Sequence, residues 1–261
     1  MIRTSVTVAA ASTVAFCLGW GAHAFTQGGE IVATAPGSLR PAPTVAAPSS
    51  ASTRAPAAPS ASVSTEQAFT DIYKNARWGT NGGDAGVSGF GSTARASHVY
   101  HAFLQQFMKD LGIHSVVDAG CGDWESTQTV DWTGIDYKGY DIVDSVIEKD
   151  RSRFAKPNIQ FFQGNIVDAE LPEADLLICK QVLQHLPNGD IEKFLGKLGR
   201  YKHVLLTDAV NPSTLSAKNR DIEPGQFREL DLTRAPFNVA ATKVLTYWDG
   251  GAMEQVLYIR R

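Results

Sequence analysis

From Thr65 onward, short apolar runs alternate with segments whose apolar residues recur every three or four positions. Val116-Val117, Tyr137 to Asp141, Asn158 to Gln163, Leu176 to Cys179 and Val204 to Thr207 lie in segments of strand length. The nearly continuous apolar runs among them suit strands of a parallel sheet buried on both faces. Between them the period lengthens. Phe69, Ile72 and Tyr73 share a helical face that opens at a cap on Ser64 or Thr65 and ends near Arg77-Trp78-Gly79. Ser92 or Thr93 can cap a helix from about Ala94 to Leu111, Asp144 to Phe154 reads as a solvated helix, and Ile191, Phe194, Leu195 and Leu198 line one face of another. Asn238 to Trp248 and Glu254 to Arg260 read as a closing strand pair around Asp249-Gly250-Gly251. The alternation predicts an α/β fold over residues 65–261.

The first 64 residues follow another pattern, with Arg3, Glu30, Arg40 and Arg54 as their only charged side chains. Val6 to Phe25 is an apolar, Ala-rich run behind one arginine, and Ala22-His23-Ala24 has the small-x-small form of a cleavage site. Residues 1–25 therefore read as a signal peptide or signal anchor, with a membrane tether through residues 6–25. A transit peptide and a misassigned start are the alternatives. With no positive charge after the run until Arg40, the folded domain is expected on the non-cytoplasmic side. Residues 26–64, rich in Pro, Ala, Ser and Thr without an apolar face, read as a disordered linker.

The chemistry gathers on Ser115-Val116-Val117-Asp118-Ala119-Gly120-Cys121-Gly122-Asp123-Trp124. A β-branched run ends in an acid and two glycines spaced G-x-G, the form of a strand that ends in a tight turn opening a helix, with unpaired N–H groups at the helix start. A dinucleotide site needs a third glycine where Glu125 stands. Asp118 would repel a pyrophosphate and can accept a hydrogen bond from a cationic amine. Asp118-Ala119-Gly120-Cys121-Gly122 resembles motif I of the class I S-adenosylmethionine-dependent methyltransferases, D/E-x-G-x-G. Trp78-Gly79 with Ser88-Gly89-Phe90-Gly91-Ser92 resembles the lead-in of a poorly characterised subgroup of that family. The Asn81 to Gly91 loop is then a lid over the cofactor or a plain flexible connection.

The resemblance implies a Rossmann-like seven-stranded sheet with helices on both faces and the last strand antiparallel, and S-adenosyl-L-methionine as cofactor. Asp118, Gly120, Cys121 and Gly122 would form the turn beneath it. Asp141 lies 19 residues past Gly122, close to the separation of roughly 20 at which a nucleotide fold sets an acid on the ribose hydroxyls. Ile142 would cover the adenine, and Asn165, with the backbone of Ile166, would face its edge. Leu176 to Cys179 running into Lys180-Gln181-Val182-Leu183-Gln184-His185-Leu186 resembles the family's strand-to-helix segment past motif I. His185 is then a candidate general base or a helix residue bonded to backbone. Lys180, also placed beside the cofactor, and Asp208 at the next strand end are the reserves for acceptor activation. Asn211 to Arg234, with Arg220 and Arg228, reads as an acceptor-binding insertion or an ordinary loop.

The net charge of −3 gives no indication of nucleic acid as partner. Three cysteines, Cys17, Cys121 and Cys179, at unpatterned spacing argue against a disulfide framework or a zinc site. The expected reaction is transfer of a methyl group to an oxygen or nitrogen of an unidentified acceptor, a small molecule, glycan or protein. The competing expectation is a membrane-tethered binding module that keeps the fold without the reaction. A third, NAD-linked oxidation, is disfavoured by the missing glycine.

Overall fold

The computed structural model describes residues 64–80, 87–211, 213 and 219–261. The expected signal or anchor, the tether at 6–25, the linker up to residue 63 and the first part of the Asn81 to Gly91 loop lie outside the described residues. Among the described residues no helix is long and apolar enough to cross a membrane.

Seven strands, β1 Ser115–Ala119, β2 Asp136–Asp141, β3 Ile159–Gln163, β4 Leu176–Lys180, β5 His203–Val210, β6 Thr242–Trp248 and β7 Met253–Arg260, form one sheet in the order β3-β2-β1-β4-β5-β7-β6. The first five are parallel, and β7 runs antiparallel to both β5 and β6. This is the class I methyltransferase sheet with its last strand antiparallel. Four helices, α1 Thr65–Lys74, α2 Ala94–Leu111, α3 Asp144–Phe154 and α4 Asn188–Lys197, join it. One face of the sheet packs on Tyr100, Leu104 and Met108 of α2, the other on Ile191 and Phe194 of α4. Helix α3 sits between, with Val146 turned to one core and Ile147 and Phe154 to the other.

Local signals set the element ends. Ser64 caps α1 by accepting from the Gln67 N–H at 3.1 Å, and Thr93 caps α2 through the Ala96 N–H at 3.1 Å. Gly112, at φ 61°, closes α2 in the left-handed conformation that glycine adopts without strain.

Two helical expectations fail. No α-helix follows the glycine turn: the chain makes one 3-10 turn at Thr127–Thr129 and enters β2. Between Gly122 and Asp136 it carries Trp124, held at φ 53°, and Thr127, Thr129, Val130, Trp132 and Thr133, whose branched or bulky side chains disfavour a helix and instead wedge an aromatic cluster against Tyr137. The segment after β4 is a 3-10 turn at Leu183–His185, and the helix waits until Asn188. Pro187 keeps Leu186 extended at φ −107°, ψ 147°, which separates the turn from α4.

The strand order reverses between β1 and β4, which opens a crevice at their carboxyl ends.

Candidate functional site

That crevice is a cavity of about 280 Å³, and the glycine turn is its floor. Gly120, at φ 92°, and Gly122, at φ 58°, hold backbone conformations that side chains rarely take, and the N–H groups of Gly120 and Cys121 both donate to the Tyr140 carbonyl. The end of β1 is thereby fastened to the end of β2. A Cβ on Gly120 would stand 2.3 Å from Val182 Cγ2, and one on Gly122 would stand 2.7 Å from Ser88 Oγ.

Of the residues expected to hold the cofactor, Asp118, Gly120, Cys121, Gly122, Asp141, Ile142, Asn165, Ile166 and Lys180 all line this cavity. The Asp118 carboxylate accepts from the Tyr137 hydroxyl at 2.7 Å. Burial lifts it to about 7, against the pull of Tyr137 and Lys180. Asp141 accepts from the N–H groups of Gly122 at 3.1 Å and Val143 at 3.0 Å, and burial lifts it to about 6. Its oxygens keep lone pairs for a pair of hydroxyls. The Asn165 oxygen already accepts from the Val167 N–H at 3.0 Å while its amide donates to Asp168 at 2.8 Å. The second lone pair of that oxygen and the second amide N–H are left for a ligand.

The roof is a strap at residues 87–92, and its anchor is a residue the sequence reading passed over. Asp123, directly after the G-x-G, is 2% exposed and accepts from the backbone N–H groups of Val87 and Ser88. Ser88 Oγ in turn accepts from the Asp123 N–H at 2.9 Å and lies 2.8 Å from the Tyr73 hydroxyl. At the strap's far end the Gly91 carbonyl accepts from Ser97 Oγ and from Lys180 Nζ, each at 2.8 Å. Helix α1 closes the side wall with Phe69 and Tyr73, both set edge-on to Trp78.

The same cavity has a polar lining, with Ser97, Tyr100, His101, Lys180 and Gln181, and Tyr100 and Lys180 face Asp118. Helix α2 supplies the first three, and nothing in the spacing of that helix distinguished them from core positions. Lys180 Nζ also donates to Gln181 Oε1 at 2.6 Å. Burial pulls its ammonium down to about 8, and Glu254, Asp249 and Asp118 oppose the fall. Gln181 holds φ 56°, a strained conformation for a non-glycine residue, and bridges toward Asp249 at 3.4 Å.

His185 lines the cavity, but its ring is engaged on every side. Nδ1 faces the Gln226 carbonyl at 3.0 Å, so that nitrogen carries the proton, and Nε2 faces the Gln184 amide at 3.3 Å. Trp78 lies against the ring at 4.9 Å, and burial pulls His185 down to about 4. Asp208 does not line the cavity. It is 4% exposed and accepts from the Gln184 N–H at 3.1 Å, which bolts the 3-10 turn to β5. The described part of the Asn211 to Arg234 segment serves the same turn. Arg228, 3% exposed, donates to the Leu186 carbonyl and to Asn188, and the Gly225 N–H donates to the His185 carbonyl. Residues 212 and 214–218 of that segment lie outside the described residues. Cys121 and Cys179 are free and buried, and burial raises both thiols, so neither is reactive.

Residues 116–203, from β1 to the start of β5, match the family model described as a methyltransferase domain. Among solved structures the chain is similar to magnesium protoporphyrin IX methyltransferase from Synechocystis PCC 6803 with bound S-adenosylmethionine, at 18% identity and a TM-score of 0.56 over 77% of this chain and 99% of that one. It is also similar to the N-methyltransferase NodS from Bradyrhizobium japonicum WM9, at 14% identity and a TM-score of 0.50 over 64% of this chain and 96% of that one. The complex of NodS with S-adenosyl-l-homocysteine matches with the same score over 87% of its chain. No curated protein matches the sequence.

Proposed function

We propose that this chain is a class I S-adenosylmethionine-dependent methyltransferase that methylates an oxygen or nitrogen of an acceptor bound beside Lys180, a reading supported by its sheet and by the methyltransferase-domain match of residues 116–203. One observation carries the reading: a single cavity is lined both by the glycine turn, Asp141, Ile142 and Ile166 and by the polar side chains of Ser97, Tyr100, Lys180 and Gln181.

The residues fit the cofactor. Asp118 and Asp141 make the cavity acidic beside the glycine turn, which suits a ligand bearing an ammonium and a sulfonium. Asp141 suits the ribose hydroxyls, and Ile142 and Ile166 offer apolar cover to the adenine. When bound, S-adenosylmethionine supplies a methyl group already activated on sulfur. What the chain adds is placement. The strap and α1 roof and wall the cavity, the turn would fix one partner, and Ser97, Tyr100, Lys180 and Gln181 would hold the other in line with it. The neutral form of Lys180, or solvent, would take the proton that the acceptor gives up. Of the three candidate bases, Lys180 alone lines the cavity and titrates near neutrality. His185 stays neutral with both nitrogens occupied, and Asp208 acts as a cap.

Calorimetric titration of the full-length protein with S-adenosylmethionine and S-adenosylhomocysteine tests the site. Micromolar binding is expected, weakened more than tenfold in Asp141→Asn, since a hydrogen bond to a charged group contributes about 1.5–3 kcal/mol. Absence of binding in the folded wild type would end the proposal. A non-cytoplasmic location, expected from residues 1–25, belongs to the same proposal and is read by fractionating cells that express the full chain.

A further inference from the structure

We infer that Glu254 is a positioning residue for this reaction, acting through Lys180 to hold its ammonium at the acceptor end of the cavity. The inference rests on the reading above only in calling that end the acceptor's.

Strand register sets the two groups on one face of the sheet. Lys180, the last residue of β4, pairs with Thr207 on β5, and Thr207 pairs with Val256 on β7. Partners across a sheet share a face, and so do residues two apart along a strand. Glu254 therefore stands on the same face, one step nearer the carboxyl ends of the parallel strands, opposite Ala209 and beside Tyr247. Ala209, with only a methyl, is the β5 residue on that rung between the two strands, and the two charges face each other across it without a direct ion pair among the described residues.

Each group lacks an ionised hydrogen-bond partner. Lys180 Nζ donates only to neutral oxygens, the Gly91 carbonyl and Gln181 Oε1, among the described residues. Glu254 is 0% exposed, and burial raises its carboxyl; no well-formed hydrogen bond reaches either oxygen among the described residues, and the uncharged Gln181 amide is the one neighbouring donor turned toward it. Burying either charge alone is strongly unfavourable. Opposite charges on one dry face compensate each other, and Glu254 is the foremost of the groups that favour the charged form of Lys180. The remaining neighbours of Lys180 are Asp118 on β1, Asp249 in the hairpin turn, and Tyr100 and His101 on α2. Those facing Glu254 are Asp249, Tyr247 and Gln181, with Asp208 on the next strand. The consequence reaches the strap, because the ammonium that Glu254 steadies is the one that donates to Gly91.

The test is the titration of Lys180 itself. Brief acetylation of the full-length protein with acetic anhydride across pH 6 to 10, read by mass spectrometry at Lys180, gives its apparent pKa. Glu254→Gln, close in size, is expected to lower that midpoint by about one unit or more. Asp150→Asn, a buried carboxylate that does not face Lys180, is expected to leave it in place. An unchanged midpoint in folded Glu254→Gln overturns the inference. If that variant does not fold, Lys180→Met serves in reverse. Glu254 is then left without its cation, so the stability lost relative to wild type should be greater at pH 8 than at pH 6, and an equal loss at both overturns the inference. Titration with S-adenosylhomocysteine on the same wild-type preparation reports the cofactor reading separately, since Lys180 titrates whether or not that ligand binds.

Discussion

At the residue scale, Gly122 shows how two demands meet on one position. Its φ of 58° is disfavoured for side chains by about 1–2 kcal/mol, and a Cβ there would press to 2.7 Å from Ser88 Oγ and 3.2 Å from Ser88 Cβ. The floor of the cavity must therefore be bare at this point for its roof to close. Gly91 repeats the device from above, since a Cβ on it would stand 2.3 Å from Gln181 Oε1. Gly122→Ala is expected to lower the thermal midpoint and weaken S-adenosylhomocysteine binding at least tenfold. Ser88→Gly removes both crowding atoms and should make the double variant cost less than the two single changes together, a non-additivity that reports direct contact. Full additivity would mean that strain at φ 58° alone sets the cost. The glycine spacing was legible in the sequence, and so were Asp118 and Asp141, because such residues repeat a pattern at fixed separations. Asp123 was not, because what it binds is the backbone of Val87 and Ser88, 36 and 35 positions away. Glu254 escaped notice for the same reason, since its environment is made by strands distant in sequence.

At the element scale, the legible parts were those whose signals are local. Helix α2 spans Ala94–Leu111, as its sequence expectation had it, with Thr93 rather than Ser92 as the cap, and α3 spans Asp144–Phe154 as expected. The strands declare themselves by their apolar runs, with ends that move by a residue or two. What the resemblance concealed is the segment after β4. Lys180 to Leu186 reads, by that resemblance, as a strand running into a helix, yet tertiary partners shape this stretch into a 3-10 turn. The Gln181 N–H donates to the Thr207 carbonyl and the Gln184 N–H to Asp208, while Gln184 Oε1 accepts from the Ala209 N–H. Asp208 is thus read as a cap for this element. Burial raises its carboxyl well above the usual range, so an amide should replace it readily. Asp208→Asn is expected to keep the thermal midpoint within a few degrees and S-adenosylhomocysteine affinity within twofold. Asp208→Ala leaves the Gln184 N–H without a partner and should cost about 1–3 kcal/mol in denaturant unfolding. An affinity loss in Asp208→Asn at full stability would instead give Asp208 a part in the site.

On the scale of the whole molecule, the buried acids give the free protein an unusual response to pH. Asp118 is held at about 7, Asp141 at about 6 and Asp150 at about 8, each raised first of all by burial. A raised carboxyl binds protons in the folded state that the unfolded chain releases near pH 4, so stability falls as pH rises through the folded value. His101 and His185, both pulled down to about 4 by burial, act in the opposite sense. The unfolded chain protonates them near 6.5, so they cost stability as pH drops below that point. The two effects oppose each other from about pH 4 to 6.5. Above 6.5 the histidines are neutral in both states, and Asp118 and Asp150 lose their protons unopposed until Lys180, held at about 8, begins to counter them. Urea unfolding of the free protein should therefore show stability decreasing between about pH 6.5 and 7.5. Binding answers with the reverse slope. A ligand that carries an ammonium and a sulfonium meets its best complement when Asp118 and Asp141 are ionised, so affinity for S-adenosylmethionine should rise over pH 5.5 to 7.5. Asp118→Asn should flatten the upper part of that rise. A flat profile in the wild type would remove the two carboxylates from the ligand's surroundings, whereas opposite slopes for stability and binding would mean that the fold keeps costly buried acids where the cofactor's charge offsets their burial.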